Sequence, residues 1–391
     1  MSDSSTDPSR RLVVFSGCAH YFVDGQMVAH GGFVREIEIW ARIFPEVLVI
    51  TVEGTSPPPA DAIPYTSPGI SCTLLRTASG TTGFAGKLRL AGLTAQWTMA
   101  SLPLLRSGDI VMARGPDSLG FLGGVLARLK GLPRFAKYAD QWQSFHEEPR
   151  GYRLQKAFYR GSWFGGPVQI YGSADPRRPH LVPFFTSSFT ESEWTEAGDQ
   201  IAMRSDPPPW RILFCGRFVH AKGIDLLLRA FKRFLDAGIP GELNLVGDGE
   251  EMAASVNLTR ALGIQEHVVF HGWLGREALL KQYGRAHVFV HSSRKEGFGK
   301  VIIEAMSFAL PVIATDVGVS RFLIHPPECG TLAKPEDEQD LAEHLLKMAG
   351  APEEARRMGV AARARVTQFL FEKLEQQYRE FLSTQHELSI N

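Results

Sequence analysis

The chain has 391 residues, of which 44% are hydrophobic and 21% charged, values typical of a globular protein long enough for two domains. Lys plus Arg and Asp plus Glu both number 42, so the overall charge does not point to nucleic acid, and none is expected as a partner. Residues Met1 to Arg11 are polar and no window approaches the roughly 18 apolar residues that span a bilayer, so we expect neither a signal peptide nor a transmembrane helix.

The four cysteines lie far apart and form no CxxC pair or Cys–His cluster. This spacing is typical of reduced thiols in a cytosolic protein and predicts no zinc site. We therefore expect a cytoplasmic protein. The cysteines are Cys18, Cys72, Cys215 and Cys329.

Strand and helix patterns alternate through the front of the chain. The apolar run LVVFSGC (12–18) predicts a buried strand, and the loop after it carries His30-Gly31-Gly32 before a helical pattern. Alternation of this kind predicts a parallel sheet wrapped by helices. Further strands are predicted at 47–53, 109–114 and 134–140, and helices at 85–106 and 119–130.

The alternation weakens between 141 and 210 and then starts again. Glu, Ser, Gly and Pro accumulate at 185–208, which indicates a domain boundary. The rear strands are predicted at 211–217, 242–249, 268–274, 287–293 and 311–315, with helices at 224–238, 250–262, 276–285 and 301–309. The predicted fold class is α/β, with two doubly wound, Rossmann-like domains facing a cleft. The predicted limits are an N-terminal domain at 1–195, a C-terminal domain at 196–365 and a helix at 366–391 that crosses back to the N-terminal domain.

One segment of the rear domain combines carboxylates, glycines and a helix start. Glu296 opens the run EGFGKVIIEAM after a buried strand, at the sheet edge where ligands bind in doubly wound domains. Gly297 and Gly299 allow the backbone to approach a ligand, and the helix N-terminus beyond offers N–H groups to an anion. Glu304 would lie about one turn into the helix and face the same cleft. Two carboxylates suit the hydroxyls of a sugar and a ribose, because each accepts several hydrogen bonds.

Two cations accompany this segment. Gly216-Arg217 ends the strand at 211–217, and Lys222 follows closely. Arg offers bidentate hydrogen bonds and Lys a point charge, so the pair can clamp a diphosphate and stabilise a departing nucleoside diphosphate. Gly247-Asp248-Gly249 forms a tight turn at the same edge, and the backbone of His30-Gly31-Gly32 can reach phosphates from the front domain.

Five segments stand in order over roughly residues 211–345: GRF…KGIDLLLRAF, LVGDGEE, VVFHGWL, EGFGKVIIEAM and PVIATDVG. Together they resemble the C-domain motifs of glycosyltransferase family 4, the group 1 transferases, whose fold is GT-B. The front domain resembles that family only in its first strand and Gly-Gly loop. The resemblance implies that a nucleotide-diphosphate sugar donates its sugar with retention at the anomeric carbon, without a metal or other cofactor.

The same resemblance assigns roles to residues of this chain. Glu296 would bind hydroxyls of the donor sugar, without acting as a nucleophile, and Glu304 would bind the ribose. Arg217 and Lys222 would hold the diphosphate beside Gly216. Backbone N–H groups would support the sugar and phosphates at Gly297, Phe298 and Gly299, and at Gly32 of the front domain.

The chain departs from the family pattern at three places. Many members carry a histidine where this chain reads Tyr138-Ala139-Asp140-Gln141-Trp142, so Asp140 becomes the candidate catalytic or acceptor-binding residue there. Lys300 stands where an apolar residue is usual and would add a phosphate or sugar-acid contact. The segment Pro183-Phe184-Phe185 replaces the usual Pro-Asn-Gly and has no functional interpretation.

Several interpretations stay open. The acceptor is predicted to be a glycan or a lipid-linked acceptor in cell-surface polysaccharide biosynthesis. The alternatives are a soluble metabolic glycosyltransferase with a small product, or an inactive nucleotide-sugar-binding protein. An NAD-linked oxidoreductase is disfavoured, because the first strand turn lacks GxGxxG. Four histidines without metal-ligand spacing are interpreted as hydrogen-bonded structural groups: His220, His271, His287 and His291.

The stretch Arg150–Arg160 is basic and aromatic, with Arg153, Lys156, Phe158 and Tyr159. Such stretches dock on anionic lipid, which would place the N-terminal domain peripherally on the cytoplasmic face of the membrane. The simpler interpretation is a solvated helix that packs its aromatic side chains inward.

Overall fold

The computed structural model describes residues 10–77, 83–145, 148–202 and 204–385, with side chains described in these ranges except at 83–90. The chain forms two compact units. The first unit runs to Phe184 and takes in the chain again from Glu375, and the second unit is Phe185–Leu374. The domain limits at 195 and 365 stay a prediction about independently folding domains.

The first unit contains a mainly parallel sheet. Seven of its described strands are parallel and lie in the order β5-β3-β1-β6-β7-β8-β9, while β2 and β4 extend the sheet with antiparallel pairing. The strands are β1 (Arg11–Val23), β2 (Gln26–His30), β3 (Glu46–Glu53), β4 (Ala62–Pro64), β5 (Ile70–Leu75), β6 (Ile110–Gly115), β7 (Arg134–Gln141), β8 (Val168–Tyr171) and β9 (Leu181–Pro183).

The first strand differs from its prediction. Instead of ending at Cys18, β1 continues to Val23 and turns back through Asp24 and Gly25 into β2. Both turn residues have positive φ, 49° and 80°, which is the backbone geometry of a tight hairpin. The Asp-Gly pair is a hairpin signal that the prediction of a loop did not take into account.

Four described α-helices of the first unit lie before Phe184. Helix α1 follows β2 and buries Trp40 against Phe135 of β7, with ring centroids 5.5 Å apart. The helices are α1 (Gly31–Ile43), α2 (Gly83–Ser101), α3 (Ser118–Leu129) and α4 (Arg150–Arg160). Within the described ranges of the chain, no helix is both long enough and apolar enough to span a bilayer.

The second unit contains an all-parallel sheet in the order β12-β11-β10-β13-β14-β15. Its strands are β10 (Trp210–Cys215), β11 (Gly241–Val246), β12 (Val268–Gly272), β13 (Val288–His291), β14 (Val312–Thr315) and β15 (Gly330–Ala333). Its helices are α5 (Glu191–Ala202), α6 (Ile224–Asp236), α7 (Met252–Ala261), α8 (Arg276–Arg285), α9 (Lys300–Ser307), α10 (Ser320–Ile324), α11 (Glu338–Gly350) and α12 (Pro352–Val366). The last helix, α13 (Phe371–Thr384), begins in the second unit and belongs to the first from Glu375 on.

The hydrophobic core of the second unit holds its strand–helix loops at one edge of the sheet. Leu227, Phe231 and Phe234 recur at helical spacing on α6 and are fully or almost fully buried with Ile212 and Phe214 of β10. This packing fixes the start of α6 against the sheet, so the turn between β10 and α6 lies at the carboxyl edge. The prediction of two α/β units with largely parallel sheets is confirmed.

Candidate active site

The candidate residues of the second unit follow strands β10 and β13, which are neighbours in the sheet. Gly216 comes directly after β10, and Lys222 lies in the turn before α6. Glu296 lies in the loop between β13 and α9, and Lys300 is the first residue of α9. Because parallel strands end at one edge, the two loops meet there, as the sequence predicted.

The carboxylate of Glu296 is bound by three donors. Lys222 Nζ lies 2.6 Å from Oε2, and His291 Nε2 lies 2.8 Å from the same oxygen. The backbone N–H of Gly297 donates to Oε1 over 3.1 Å. Burial alone would raise the pKa of Glu296, but the charge of Lys222 and the hydrogen bond from His291 hold that pKa well below its ordinary value of 4.5. Glu296 is therefore an anion at neutral pH.

Lys222 is therefore not an unpaired cation in this structure. Its side chain is 17% exposed and that of Glu296 15%, so both groups reach the surface of the unit. A carboxylate has about four lone-pair positions, and three donors leave room for one more, such as a sugar hydroxyl. An incoming phosphate would compete with Glu296 for Lys222.

Backbone geometry holds the Glu296 loop close to its neighbours. Gly318 has a φ of 56°, and a Cβ there would lie 2.1 Å from the carbonyl oxygen of Glu296. Gly299, the residue before α9, has a φ of 76°. Phe298 is 4% exposed and packs against Phe369, so its side chain anchors the loop while its backbone remains in it. Only glycine fits the close approach at Gly318.

Arg217 has a different environment from Lys222. Its side chain is exposed and makes no hydrogen bond or ion pair with any residue that the structure describes. The turn Gly247-Asp248-Gly249 packs beside it, because Phe218 N–H donates to the carbonyl of Asp248 over 2.8 Å. A Cβ on Gly216 would lie 3.8 Å from Cδ of Lys222. Gly216 thus brings the backbone next to Lys222, and Arg217 remains available for an anion.

Glu304 lies on α9 with its own partners. Tyr283 OH donates to Oε2 over 2.9 Å, and no contact joins Glu304 to Glu296 among the described side chains. Burial raises the pKa of Glu304 above its ordinary value of 4.5, although the charge of Arg276 and hydrogen bonds from Tyr283 and Ser188 oppose the shift. The positive charge of Lys300 acts on the same carboxyl group. Tyr283 thus binds one carboxyl oxygen of Glu304, and the group can accept further hydrogen bonds from hydroxyls.

Two candidates belong to the first unit. The N–H of Gly32 donates to Nδ1 of His30 over 3.1 Å, so the histidine caps α1 where an anion was expected. His30 Nε2 in turn lies 3.1 Å from Oδ2 of Asp61. Asp140 stands near the end of β7, half-buried, and its Oδ1 accepts the N–H of Gln141 over 2.7 Å. A role for Gly32 in phosphate binding requires His30 to move.

Sequence reasoning missed two groups at this site. His291 was interpreted as a structural histidine, although it ends β13 only five residues before Glu296, and Tyr283 was not singled out at all. The position of His291 at a strand end was a usable signal. Tyr283 lies on another helix, so nothing local in the sequence connected it to Glu304.

The rear of the chain matches a known family. Residues 200–365 match the family model described as Glycosyl transferases group 1. The D-inositol 3-phosphate glycosyltransferase of Nocardia farcinica is 30% identical over 52% of this chain and 46% of its own length. The N-acetyl-alpha-D-glucosaminyl L-malate synthase of Bacillus anthracis is 29% identical over 43% of each chain. The matched region thus spans less than half the length of these curated relatives.

Solved structures match over nearly the whole chain. Sucrose-phosphate synthase from Thermosynechococcus elongatus has a TM-score of 0.67 at 22% identity, over 96% of this chain and 99% of its own. HepE from Anabaena, in complex with UDP and glucose, has a TM-score of 0.68 at 19% identity over the same shares. These similarities establish the fold. Residues 200–365 are therefore similar to the group 1 glycosyl transferases, and the chain has the two-domain fold of the GT-B glycosyltransferases.

Proposed function

We propose that this protein is a retaining glycosyltransferase that moves a sugar from a nucleotide-diphosphate sugar to a glycan or lipid-linked acceptor. The contact that carries the proposal is the one between Glu296 and Lys222, at the carboxyl edge of the sheet in the domain that matches the group 1 family. It places an anion for sugar hydroxyls beside a cation for phosphate. HepE, solved with UDP and with UDP-glucose, supports a nucleotide sugar as donor.

Different residues of this site bind different parts of the nucleotide sugar. Glu296 accepts hydroxyl hydrogen bonds from the sugar, and Glu304 accepts those of the ribose. Lys222 and the exposed Arg217 neutralise the diphosphate as its bond to the anomeric carbon breaks. The acceptor hydroxyl attacks from the face that the diphosphate leaves and gives its proton to the departing phosphate oxygen, which retains the configuration. The step uses no metal, because the two cations supply the positive charge.

A soluble metabolic transferase is the second candidate function. The observation in its favour is the naming of the curated relatives: D-inositol 3-phosphate glycosyltransferase, N-acetyl-alpha-D-glucosaminyl L-malate synthase and mannosylfructose-phosphate synthase. Each name contains a small soluble product or acceptor. Activity on such an acceptor without vesicles or detergent would favour this candidate over the lipid-linked one.

A surface of the first unit favours a lipid-linked acceptor. On and after α4, Leu154 is 65% exposed and Trp163 47% exposed, and Phe158 contacts Trp163 with ring centroids 5.4 Å apart. Arg150 and Arg153 are exposed on the same helix. We name Arg150, Arg153, Leu154 and Trp163 the α4 surface. Of the residues first singled out for membrane contact, Lys156 and Tyr159 are buried and cannot contribute.

A ligand panel tests the proposal. Purified protein is screened for thermal stabilisation by UDP, GDP and their common sugars, since a ligand that binds the folded state raises the melting temperature. We expect one family of nucleotides to stabilise the wild-type protein. Arg217→Ala should lower the affinity for these nucleotides about tenfold and leave the melting temperature of the free protein unchanged. Turnover should persist in chelator, and NMR should show the donor's anomeric configuration in the product. No stabilisation by any member would overturn the proposal, as would an inverted product.

A further inference from the structure

Glu296 receives its hydrogen bonds from two kinds of partner. Lys222 and His291 both reach Oε2, at 2.6 Å and 2.8 Å, while the Gly297 N–H reaches Oε1. The proposed function uses Lys222 for the diphosphate of the donor. A phosphate bound at Lys222 competes with Oε2 for the ammonium group. One of the three hydrogen bonds to Glu296 is therefore lost or weakened when the nucleotide sugar binds.

The side chain of His291, unlike that of Lys222, cannot move to contact a bound ligand. It is the last residue of β13, it is paired with Ala314 of β14, and its side chain is 1% exposed. Thr315 Oγ1 shares its hydrogen between the carbonyl of Ser293, 2.5 Å away, and the carbonyl of His291, 3.3 Å away. Lys222 has a long stem of single bonds and lies in a short turn between β10 and α6. The imidazole is therefore the fixed partner and the ammonium the movable one.

The proton on His291 can be placed from its partners. An ionised carboxylate only accepts hydrogen bonds, so Nε2 carries the hydrogen that is donated to Glu296. Nδ1 is buried and has no partner among the described residues. A buried N–H without a partner costs more free energy than a bare nitrogen, so the neutral tautomer with hydrogen on Nε2 fits this position. Ser293 Oγ lies 3.2 Å from the same Nε2, where it can only be a second, weaker acceptor of that hydrogen.

We propose that His291 is a positioning residue of the transfer reaction, one that keeps Glu296 in its sugar-binding orientation while the donor's diphosphate engages Lys222. This inference rests on the proposed function and assigns His291 a role that it exerts through Glu296. Without His291, Glu296 would be oriented by the Gly297 N–H alone once Lys222 has turned to phosphate. Its carboxylate could then rotate about the remaining bond and lose the sugar hydroxyls.

Two substitutions at one position test the inference. His291→Leu removes the N–H and keeps an apolar side chain, whereas His291→Gln retains an N–H donor near the position of Nε2. Calorimetry then measures the affinities of each variant for UDP-glucose and for UDP. If another nucleotide sugar stabilises the wild-type protein, that sugar and its free nucleoside diphosphate are used instead. We expect His291→Leu to lower the affinity for the nucleotide sugar about tenfold, because a hydrogen bond to a charged group is lost. The affinity for the free nucleoside diphosphate should stay unchanged. His291→Gln should restore most of the loss.

A matched control is His271→Leu. His271 is also a strand histidine of this unit, but its Nε2 contacts Oδ1 of Asn244, 2.7 Å away, and not Glu296. It should reduce stability without changing the ratio of the two affinities. Equal weakening of both ligands by His291→Leu, wild-type affinities in that variant, or no recovery in His291→Gln would each overturn the positioning role. If the wild-type protein binds neither ligand of any pair, the proposed function fails first and this inference fails with it.

Discussion

Glu296 and Glu304 share one loop and helix, yet the fold shifts the pKa of each in an opposite direction. For Glu296 burial is outweighed by Lys222 and His291, and its pKa falls below the ordinary 4.5. For Glu304 burial prevails over Arg276 and Tyr283, and its pKa rises. The difference follows from a cation in direct contact with the first carboxylate and a neutral phenol in contact with the second.

This difference predicts opposite effects of pH on stability in two variants. Above pH 4.5 the ionised Glu296 stabilises the fold, and that contribution disappears as pH falls towards its lowered pKa. The stability advantage of the wild-type protein over Glu296→Gln should therefore shrink between pH 7 and pH 3. Ionised Glu304 disfavours the fold, so Glu304→Gln should gain on the wild type as pH rises from 4 to 8.

Urea unfolding at a series of pH values measures both trends. The slope with pH is the informative quantity, because an amide replaces the lost carboxylate hydrogen bonds only in part and shifts the absolute free energy of unfolding. Parallel slopes for the two variants would contradict the electrostatic account of the site.

At the scale of elements, the Glu296 loop depends on a glycine in the next strand–helix connection. Gly318 combines a φ of 56° with a would-be Cβ 2.1 Å from the Glu296 carbonyl oxygen. Gly263 has a similar φ of 68° but nothing within 4 Å of its would-be Cβ. Replacing either by alanine adds backbone strain of about 1 kcal/mol, and only Gly318→Ala also displaces the loop.

We therefore expect both glycine variants to unfold more easily, with the larger loss in Gly318→Ala. Only Gly318→Ala should weaken nucleotide-sugar binding, by about tenfold or more, because the clash moves the backbone of Glu296. Thermal unfolding and calorimetry on the same preparations separate the two effects. If Gly263→Ala weakened binding as much, general destabilisation rather than loop placement would be the cause.

The strand–helix alternation and the Glu296 loop were predictable from sequence, while several strands, such as β8 and β15, and the partners of the site were not. Apolar runs such as the one before Arg217 predict buried parallel strands because both faces of such strands are covered. Where those strands end then follows from local pattern. The contacts of Glu304 with Tyr283 and of Gly32 with His30 depend on which helices pack together and on how a hairpin redirects the chain. Such information is absent from any local pattern.

At the scale of the whole molecule, the acceptor decides whether the protein works at a membrane. The domain that matches the group 1 family contains the candidate donor residues Arg217, Lys222, Glu296 and Glu304, and they fit a soluble or a lipid-linked product equally well. The distinction therefore depends on the first unit, where the α4 surface combines exposed apolar side chains with arginines. A lipid-linked acceptor would bring this surface to anionic headgroups, whereas a soluble acceptor gives it no ligand.

We expect the wild-type protein to co-sediment with vesicles of phosphatidylglycerol and phosphatidylcholine, and less so with phosphatidylcholine alone. Leu154→Ser with Trp163→Ser should reduce this binding severalfold, because both side chains are exposed and would insert among the lipids. Val360→Ser is the matched control, since Val360 is 62% exposed on the second unit, outside the α4 surface. Added salt should weaken the wild-type interaction by screening the arginines. Equal binding by the double variant would show that the α4 surface does not bind the lipids, and no binding by the wild type would favour the soluble acceptor.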